Sequence, residues 1–152
     1  MLTYPTDIDA AWEYYGANCG PCTLAALLGR QVLEMEDLFE GFRQRTYVNP
    51  THMKHALTRA SVSYRSLGQV RPIRGLGFVQ MGGYEHLPVK VQYRHTHWIA
   101  IDGETVFEVN ADELTTWHIW QQVFPRVMQE EGIGNGTYWI RSWLDVPEVS
   151  HP

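Results

Sequence analysis

The hydrophobic periodicity of the chain changes near residue 61. Before that point, apolar residues recur at the helical spacing of three and four positions. We predict a helix over residues 19–28, ended by Gly29, and a second helix over residues 34–42. A third helix should follow the cap formed by Asn49 and Pro50 and run to about residue 60. The first part of the chain is therefore predicted to be helical.

The second part of the chain is predicted to consist mainly of strands. Apolar and β-branched residues favour strands over residues 62–66, 77–81, 89–94, 97–101, 106–110 and 137–143. One helix, over residues 112–124 and ending at Pro125, interrupts them. Helices followed by consecutive strands favour an α+β fold with an antiparallel sheet.

Length and composition limit the class of protein. A chain of 152 residues is typical of one domain, which we expect to span residues 1–152. A net charge of −5 without a basic run argues against a nucleic-acid partner. No stretch approaches the roughly 20 apolar residues that span a membrane, and the first residues lack the pattern of a signal peptide. We therefore expect a protein of the reducing cytoplasm.

Both cysteines lie in one short segment, Cys19-Gly20-Pro21-Cys22, which has two interpretations. It has the spacing of a dithiol oxidoreductase box, but residues 13–18 do not form the buried strand that precedes such a box. A zinc site would need a second pair of ligands, for which His52 and His55 are the candidates, and these fit an ordinary helix surface.

The alternative interpretation makes Cys19 a nucleophile. A helix N-terminus favours the thiolate form of a cysteine, and Cys19 begins the predicted helix. Gly20 allows a close backbone approach, and Pro21 suits the first turn because its missing N–H is not needed there. Cys22 would then be a small buried residue.

A hairpin supplies the base that such a nucleophile needs. A four-residue loop from Asp102 to Thr105 would place Asn110 opposite His97, whereas a two-residue loop would pair His97 with Glu108. In both registers His97 and Asn110 point to one face of the sheet, because side chains alternate with period two. His97 can then accept the thiol proton while Asn110 orients the imidazole.

His95 shares the face of His97 and is the rival base. We prefer His97 because it begins the apolar strand and lies nearer Asn110 in the four-residue register.

The order of Cys19-Gly20-Pro21, His97-Trp98 and Asn110 resembles that of the papain-like cysteine peptidases. It is most similar to the leader-peptide peptidase domains of bacteriocin exporters and their free-standing relatives, over about residues 12–143. The resemblance implies a papain-like fold, catalytic residues Cys19, His97 and Asn110, a thioester acyl-enzyme, a protein or peptide substrate, and no cofactor or metal.

Glu13 departs from this family, which usually has a glutamine about six residues before the cysteine as an oxyanion donor. A carboxylate would repel the developing negative charge, and the loss of such a donor costs about 10²–10³ in rate. Tyr14, Tyr15 or the backbone N–H of Cys19 are alternative donors.

Four functions therefore stay open from the sequence. A cysteine hydrolase of peptide or isopeptide bonds is the preferred one. The same residues would also support a deamidase or an acyltransferase. Glu13 leaves room for an inactive protein-binding domain, and Cys22 for a dithiol oxidoreductase.

Overall fold

The first part of the chain is helical in the structure, a computed structural model that describes residues 1–15, 19–39, 41 and 48–148. Its elements are α1 (Ile8–Tyr15), α2 (Cys19–Leu28), a 3-10 helix (Val32–Leu38) and α3 (Pro50–Arg59). Helix α2 has the predicted bounds, and α3 begins with its Asn49 side chain accepting a hydrogen bond from the backbone N–H of His52. Helix α1 was missed by the sequence prediction. The second predicted helix is a 3-10 helix, and part of its predicted range lies outside the described residues.

In the described residues, six antiparallel strands form one sheet in the order β1-β6-β2-β3-β4-β5. The strands are β1 (Arg65–Gly68), β2 (Arg74–Met81), β3 (Thr96–Asp102), β4 (Thr105–Phe107), β5 (Thr115–Thr116) and β6 (Tyr138–Asp145). The predicted α+β class with an antiparallel sheet is therefore confirmed. Strand β3 lies between β2 and β4, and β4 pairs only with its second half, Ala100 to Asp102.

The strand predicted over residues 89–94 is wrong. This segment forms a one-turn helix, α4 (Val89–Gln92), and a 3-10 turn (Tyr93–His95). The carbonyl oxygen of Pro88 accepts hydrogen bonds from the backbone N–H groups of Val91 and Gln92, which closes the turn. Alternating apolar residues alone did not distinguish a strand from so short a helical segment.

The helix predicted over residues 112–124 is wrong at both ends. Helix α5 spans Trp117–Glu130, and Thr116 caps it by accepting a hydrogen bond from the backbone N–H of Ile119. Pro125 lies inside this helix and is buried. An interior proline removes one helical hydrogen bond, but packing of the apolar face outweighs this loss here.

Two layers of helical structure cover the two faces of the sheet. Helix α2 packs on the face that carries Phe78 and Trp98, within the larger apolar core. Helix α5 packs on the opposite face, where Trp120 and Phe124 meet Val79. None of the helices in the described part of the chain has the length and apolarity needed to span a membrane.

Candidate functional site

Cys19 and His97 are in contact although 78 positions separate them in the sequence. The Sγ atom of Cys19 lies 3.0 Å from Nδ1 of His97. Cys19 is the first residue of α2 and is partly exposed, whereas His97 lies near the start of β3 and is buried. The contact arises because the N-terminus of α2 packs against the beginning of β3.

The sulfur of Cys19 also accepts a hydrogen bond from the chain. The backbone N–H of Trp98 donates to Sγ over 3.2 Å. The Thr23 hydroxyl contacts the carbonyl oxygens of Cys19 at 2.7 Å and of Trp98 at 3.2 Å, and this hydroxyl connects helix α2 to strand β3. The helix N-terminus and the Trp98 amide both favour negative charge on the sulfur.

Gly20 permits the close packing of this helix start. A Cβ atom at Gly20 would lie 2.5 Å from Cγ2 of Val48, which is closer than side-chain atoms can approach. Val48 also accepts, through its carbonyl oxygen, a hydrogen bond from the indole N–H of Trp98. The glycine after Cys19 is therefore required by packing at this position. The preceding residue, Asn18, lies outside the described residues.

Glu108, and not Asn110, is the hydrogen-bond partner of His97. The Nε2 atom of His97 lies 2.6 Å from Oε2 of Glu108. The side-chain amide of Asn110 instead donates to Oε2 of Glu108 over 3.1 Å, and Asn110 is exposed. The prediction that Asn110 contacts and orients the imidazole is therefore corrected. Glu108 makes that contact, and Asn110 donates a hydrogen bond to Glu108.

The end of β4 explains this difference. Asp102 pairs with Thr105, which is the register that would place Asn110 opposite His97 if the ladder continued. The ladder ends at Phe107, and a turn follows in which the backbone N–H of Ala111 donates to the carbonyl oxygen of Glu108. The turn takes Asn110 out of the strand, and the longer Glu108 side chain lies on the same face as His97.

The Glu108 carboxylate is buried, and both of its oxygens accept hydrogen bonds. It is 3% exposed, and its Oε1 accepts from the indole N–H of Trp120 over 2.9 Å. Its Oε2 accepts from the backbone N–H of Asn110, in addition to the contacts described above. A carboxylate in an apolar core requires such bonds, because an unpaired buried charge is strongly unfavourable.

His97 is held between its two polar partners in an apolar environment. Its ring stacks on that of Phe124 from α5, with a centroid distance of 5.0 Å. Burial lowers the pKa of His97, but the negative charges and hydrogen bonds of Cys19 and Glu108 outweigh it and raise that pKa well above its usual value. The raised pKa favours the imidazolium form of His97.

Cys22 does not share this environment. Its side chain is completely buried in the larger core, and burial raises the pKa of its thiol. Both cysteines are free. The prediction that Cys22 is a small buried residue is confirmed. Residues 8–15, the described residues nearest before the pair, form helix α1 and not a strand.

Glu13 and the two tyrosines that follow it lie on α1. Glu13 is exposed on α1. The Tyr14 hydroxyl donates to Glu36 over 2.6 Å, and the Tyr15 hydroxyl contacts the carbonyl oxygen of Val32 at 3.4 Å. The geometry therefore lends no support to Glu13 as the oxyanion donor.

The other histidines singled out by sequence lie elsewhere. His95 stacks on Tyr84 with a centroid distance of 3.7 Å, in the 3-10 turn before β3. His52 belongs to the cap of α3, where its Nδ1 accepts from the backbone N–H of Asn49. Within the described ranges of the chain, no group of three or more histidine, cysteine or acidic side chains is arranged to hold a metal ion.

Two residues of the site were missed by sequence reasoning. Glu108 was considered only as the cross-strand partner of His97 in one of the two registers. Since Glu108 and Asn110 are two positions apart, their side chains were expected on the same face, so Glu108 could also have been a candidate partner. Trp120 lies on a helix whose start was predicted five residues too early, so nothing in the sequence placed its indole beside Glu108.

Comparison with known proteins gave no match, whether with family models, curated proteins or solved structures. The assignment of a function to this site therefore depends on its own geometry and chemistry.

Proposed function

We propose that the protein is a cysteine hydrolase of the papain-like type, which cleaves a peptide or isopeptide bond through Cys19, His97 and Glu108. The observation that carries the proposal is the continuous row of contacts from the Cys19 sulfur through both nitrogens of His97 to the buried Glu108 carboxylate. A nucleophile, a base and a group that orients the base form the arrangement that covalent catalysis requires.

In the proposed reaction, the Cys19 thiolate attacks the carbonyl carbon of the substrate and forms a tetrahedral intermediate. His97 gives its proton to the leaving amine, and a thioester joins the acyl group to Cys19. Water then attacks the thioester while His97 accepts a proton from it, and the carboxylic acid product leaves. Glu108 fixes the ring orientation and stabilises the imidazolium form between these steps.

The N-terminus of α2 offers the oxyanion donor in this proposal. Cys19 is the first residue of that helix, and the first backbone N–H groups of a helix have no intrahelical partner. The backbone N–H of Cys19 lies next to the attacking sulfur along the chain. Such a donor acts where charge develops in the transition state. It would take the role of the glutamine for which this chain has Glu13.

Two observations disfavour the dithiol oxidoreductase. The thiol of Cys22 is completely buried, and a resolving cysteine must reach the mixed disulfide. The described strands also pair only antiparallel and all follow the two cysteines in the chain, so no βαβ unit in the described residues contains the pair. Deamidation and acyl transfer use the same acyl-enzyme, and the choice between them depends on whether water or an amine attacks it.

The proposal is tested with a peptidyl electrophile and the fully reduced protein. Intact mass and peptide mapping should show one adduct, on Cys19, which is lost in Cys19→Ala and formed much more slowly in His97→Ala. Digestion of a mixed peptide library in H₂¹⁸O should place ¹⁸O in new carboxyl termini, whereas added hydroxylamine should capture the acyl group as a hydroxamate. Absence of any Cys19 adduct, with the fold intact by circular dichroism, would favour a protein-binding domain.

A further inference from the structure

Arg141 occupies an irregularity of the sheet. In the pairing of β2 with β6, Phe78 lies opposite Ser142 and Val79 lies opposite Ile140, so Arg141 is an extra residue between them. A bulge of this kind re-aims a side chain and is common next to functional sites. The Arg141 side chain extends across β2 toward the segment that precedes β3.

The guanidinium is held in place by neutral groups. Its Nε donates to Oε1 of the buried Gln80 over 2.8 Å, and its Nη2 donates to Oε1 of Gln92 over 2.9 Å. It lies 4.8 Å from the ring centroid of Tyr93 and 5.5 Å from that of Trp139. Amide oxygens and aromatic faces orient the cation without neutralising it.

Arg141 retains donors for an anion. An arginine has five N–H donors, and the two hydrogen bonds above leave three. In residues 1–15, 19–39, 41 and 48–148, no carboxylate forms an ion pair with Arg141. Arg65, near the other end of β6, is paired with Asp145 at 2.7 Å. Arg141 is therefore an oriented cation that lacks a counter-ion in the described chain.

The position of Arg141 relates it to Cys19. His97 pairs with Val79, and Val79 pairs with Ile140, the residue before Arg141. Two strand spacings amount to about 10 Å, which an extended peptide covers with about three residues. Gln80, which holds the cation, lies on the sheet face on which α2 packs, because it alternates with Val79 on the α5 face. The cation and the start of α2, which carries Cys19, are therefore at the same end of the sheet.

A row of aromatic rings in mutual contact lies between the Cys19 sulfur and the Arg141 guanidinium. Trp98, whose backbone N–H contacts the Cys19 sulfur, packs on Phe78 with a centroid distance of 4.8 Å. Phe78 packs on Tyr93 at 5.8 Å, and Tyr93 contacts the Arg141 guanidinium. This packed row fixes the distance between the sulfur and the cation, as a recognition site requires.

We infer that Arg141 determines substrate specificity by binding a carboxylate, from a glutamate or aspartate side chain, two to four residues from the bond that is cleaved. The inference deepens the proposed function and depends on it. An arginine with donors left for a ligand recognises a carboxylate better than a neutral amide, because the charge-assisted hydrogen bonds are roughly twice as strong.

The test uses pairs of peptidyl chloromethyl ketones that differ only in glutamate or glutamine. The variable residue is placed second, third or fourth from the reactive carbon, and the second-order rate of Cys19 labelling is measured by intact mass. In the wild type, the glutamate reagent should react about tenfold faster at one position. Arg141→Gln should abolish that difference, and Arg141→Lys should restore part of it.

Arg65→Gln is the matched control, because it removes the same charge from β1, beside the far end of β6. It should keep the full preference for glutamate. Labelling of Cys19 by iodoacetamide, which is too small to reach Arg141, should be equal in all four proteins. Equal labelling by the glutamate and glutamine reagents, or a preference that survives in Arg141→Gln, would overturn the inference while leaving the hydrolase proposal intact. A Cys19 that reacts with none of the reagents would overturn both.

Discussion

Nε2 of His97 lies 2.6 Å from Oε2 of Glu108, on the side of the ring opposite Cys19. A buried carboxylate on one ring nitrogen fixes the orientation of the imidazole and presents the other nitrogen to the sulfur. Sequence reasoning placed Asn110 against His97, whereas in the structure Glu108 contacts His97 and Asn110 contacts Glu108.

Glu108→Gln is expected to lower kcat/KM by about 10³–10⁴, because the amide can present the wrong hydrogen-bonding group to Nε2 and does not stabilise an imidazolium. Hydrolysis of the peptide identified in the library digestion measures this effect. Asn110→Ala is the comparison, since it removes one of several donors to Glu108, and its loss of activity should stay within about tenfold. A larger loss in Asn110→Ala than in Glu108→Gln would restore Asn110 as the orienting residue.

The pH profile should report the charge of Glu108. The negative charges of Cys19 and Glu108 hold the pKa of His97 above its usual value despite its burial. Removal of one charge in Glu108→Gln should therefore lower that pKa. Because loss of the imidazolium proton breaks the ion pair with Cys19, the alkaline limb of kcat/KM should move to lower pH. Rates measured from pH 5 to pH 10 check the direction, and a shift to higher pH would contradict the assignment.

Thiol alkylation separates the two candidate bases. Cys19 should react with iodoacetamide much faster than the buried Cys22 near pH 7 in the native, reduced protein. His97→Ala should slow the reaction of Cys19, because the sulfur loses the cation that stabilises its thiolate. His95→Ala should leave the rate nearly unchanged, since His95 stacks on Tyr84. Quantitative mass spectrometry of the two cysteine peptides gives each rate. The assignment of His97 fails if His95→Ala has the larger effect.

The contact between Cys19 and His97 was predictable because the helix that begins at Cys19 and the strand that carries His97 each follow from local sequence patterns. A helix that begins at Cys19 follows from its apolar spacing and Gly29, and the strand that carries His97 follows from a continuous apolar run. Because side chains along a strand alternate between the two faces of the sheet, the partner of His97 was expected on the same face of the hairpin.

The identity of that partner depended on where β4 ends. The ladder stops at Phe107 because the chain turns at Glu108, and residues 106–110 alone read as one continuous strand. The carboxylate of Glu108 also needs the indole of Trp120, which α5, an element later in the chain, brings to the same face of the sheet. Tertiary packing of this kind is not visible in local sequence patterns. The same holds for the continuation of α5 beyond Pro125, which packing of its apolar face permits.

Trp120→Phe tests whether the indole positions the carboxylate. The substitution keeps an aromatic ring but leaves Oε1 of Glu108 without its donor, which should destabilise the fold by about 1–3 kcal/mol. If Trp120 acts as a positioning residue, kcat should fall while KM changes little, and the alkaline limb of the pH profile should shift. Trp117→Phe is the control, because Trp117 stacks on Trp120 at 5.4 Å and makes no described hydrogen bond to Glu108. Equal changes in both variants would mean that packing alone is responsible.

Cys22 provides the last prediction, on which the two interpretations of the cysteine pair differ. Because its side chain is completely buried, Cys22→Ala should lower the free energy of unfolding by about 1 kcal/mol and Cys22→Ser by more, since a hydroxyl in an apolar core needs a partner. Both variants should keep peptide hydrolysis, whereas Cys19→Ala should abolish it with the fold intact. A dithiol oxidoreductase would instead need both sulfurs. Assays of each variant under reducing conditions, with a peptide and with a disulfide substrate, decide between them. Equal loss in Cys19→Ala and Cys22→Ala, seen only with the disulfide, would overturn the hydrolase proposal.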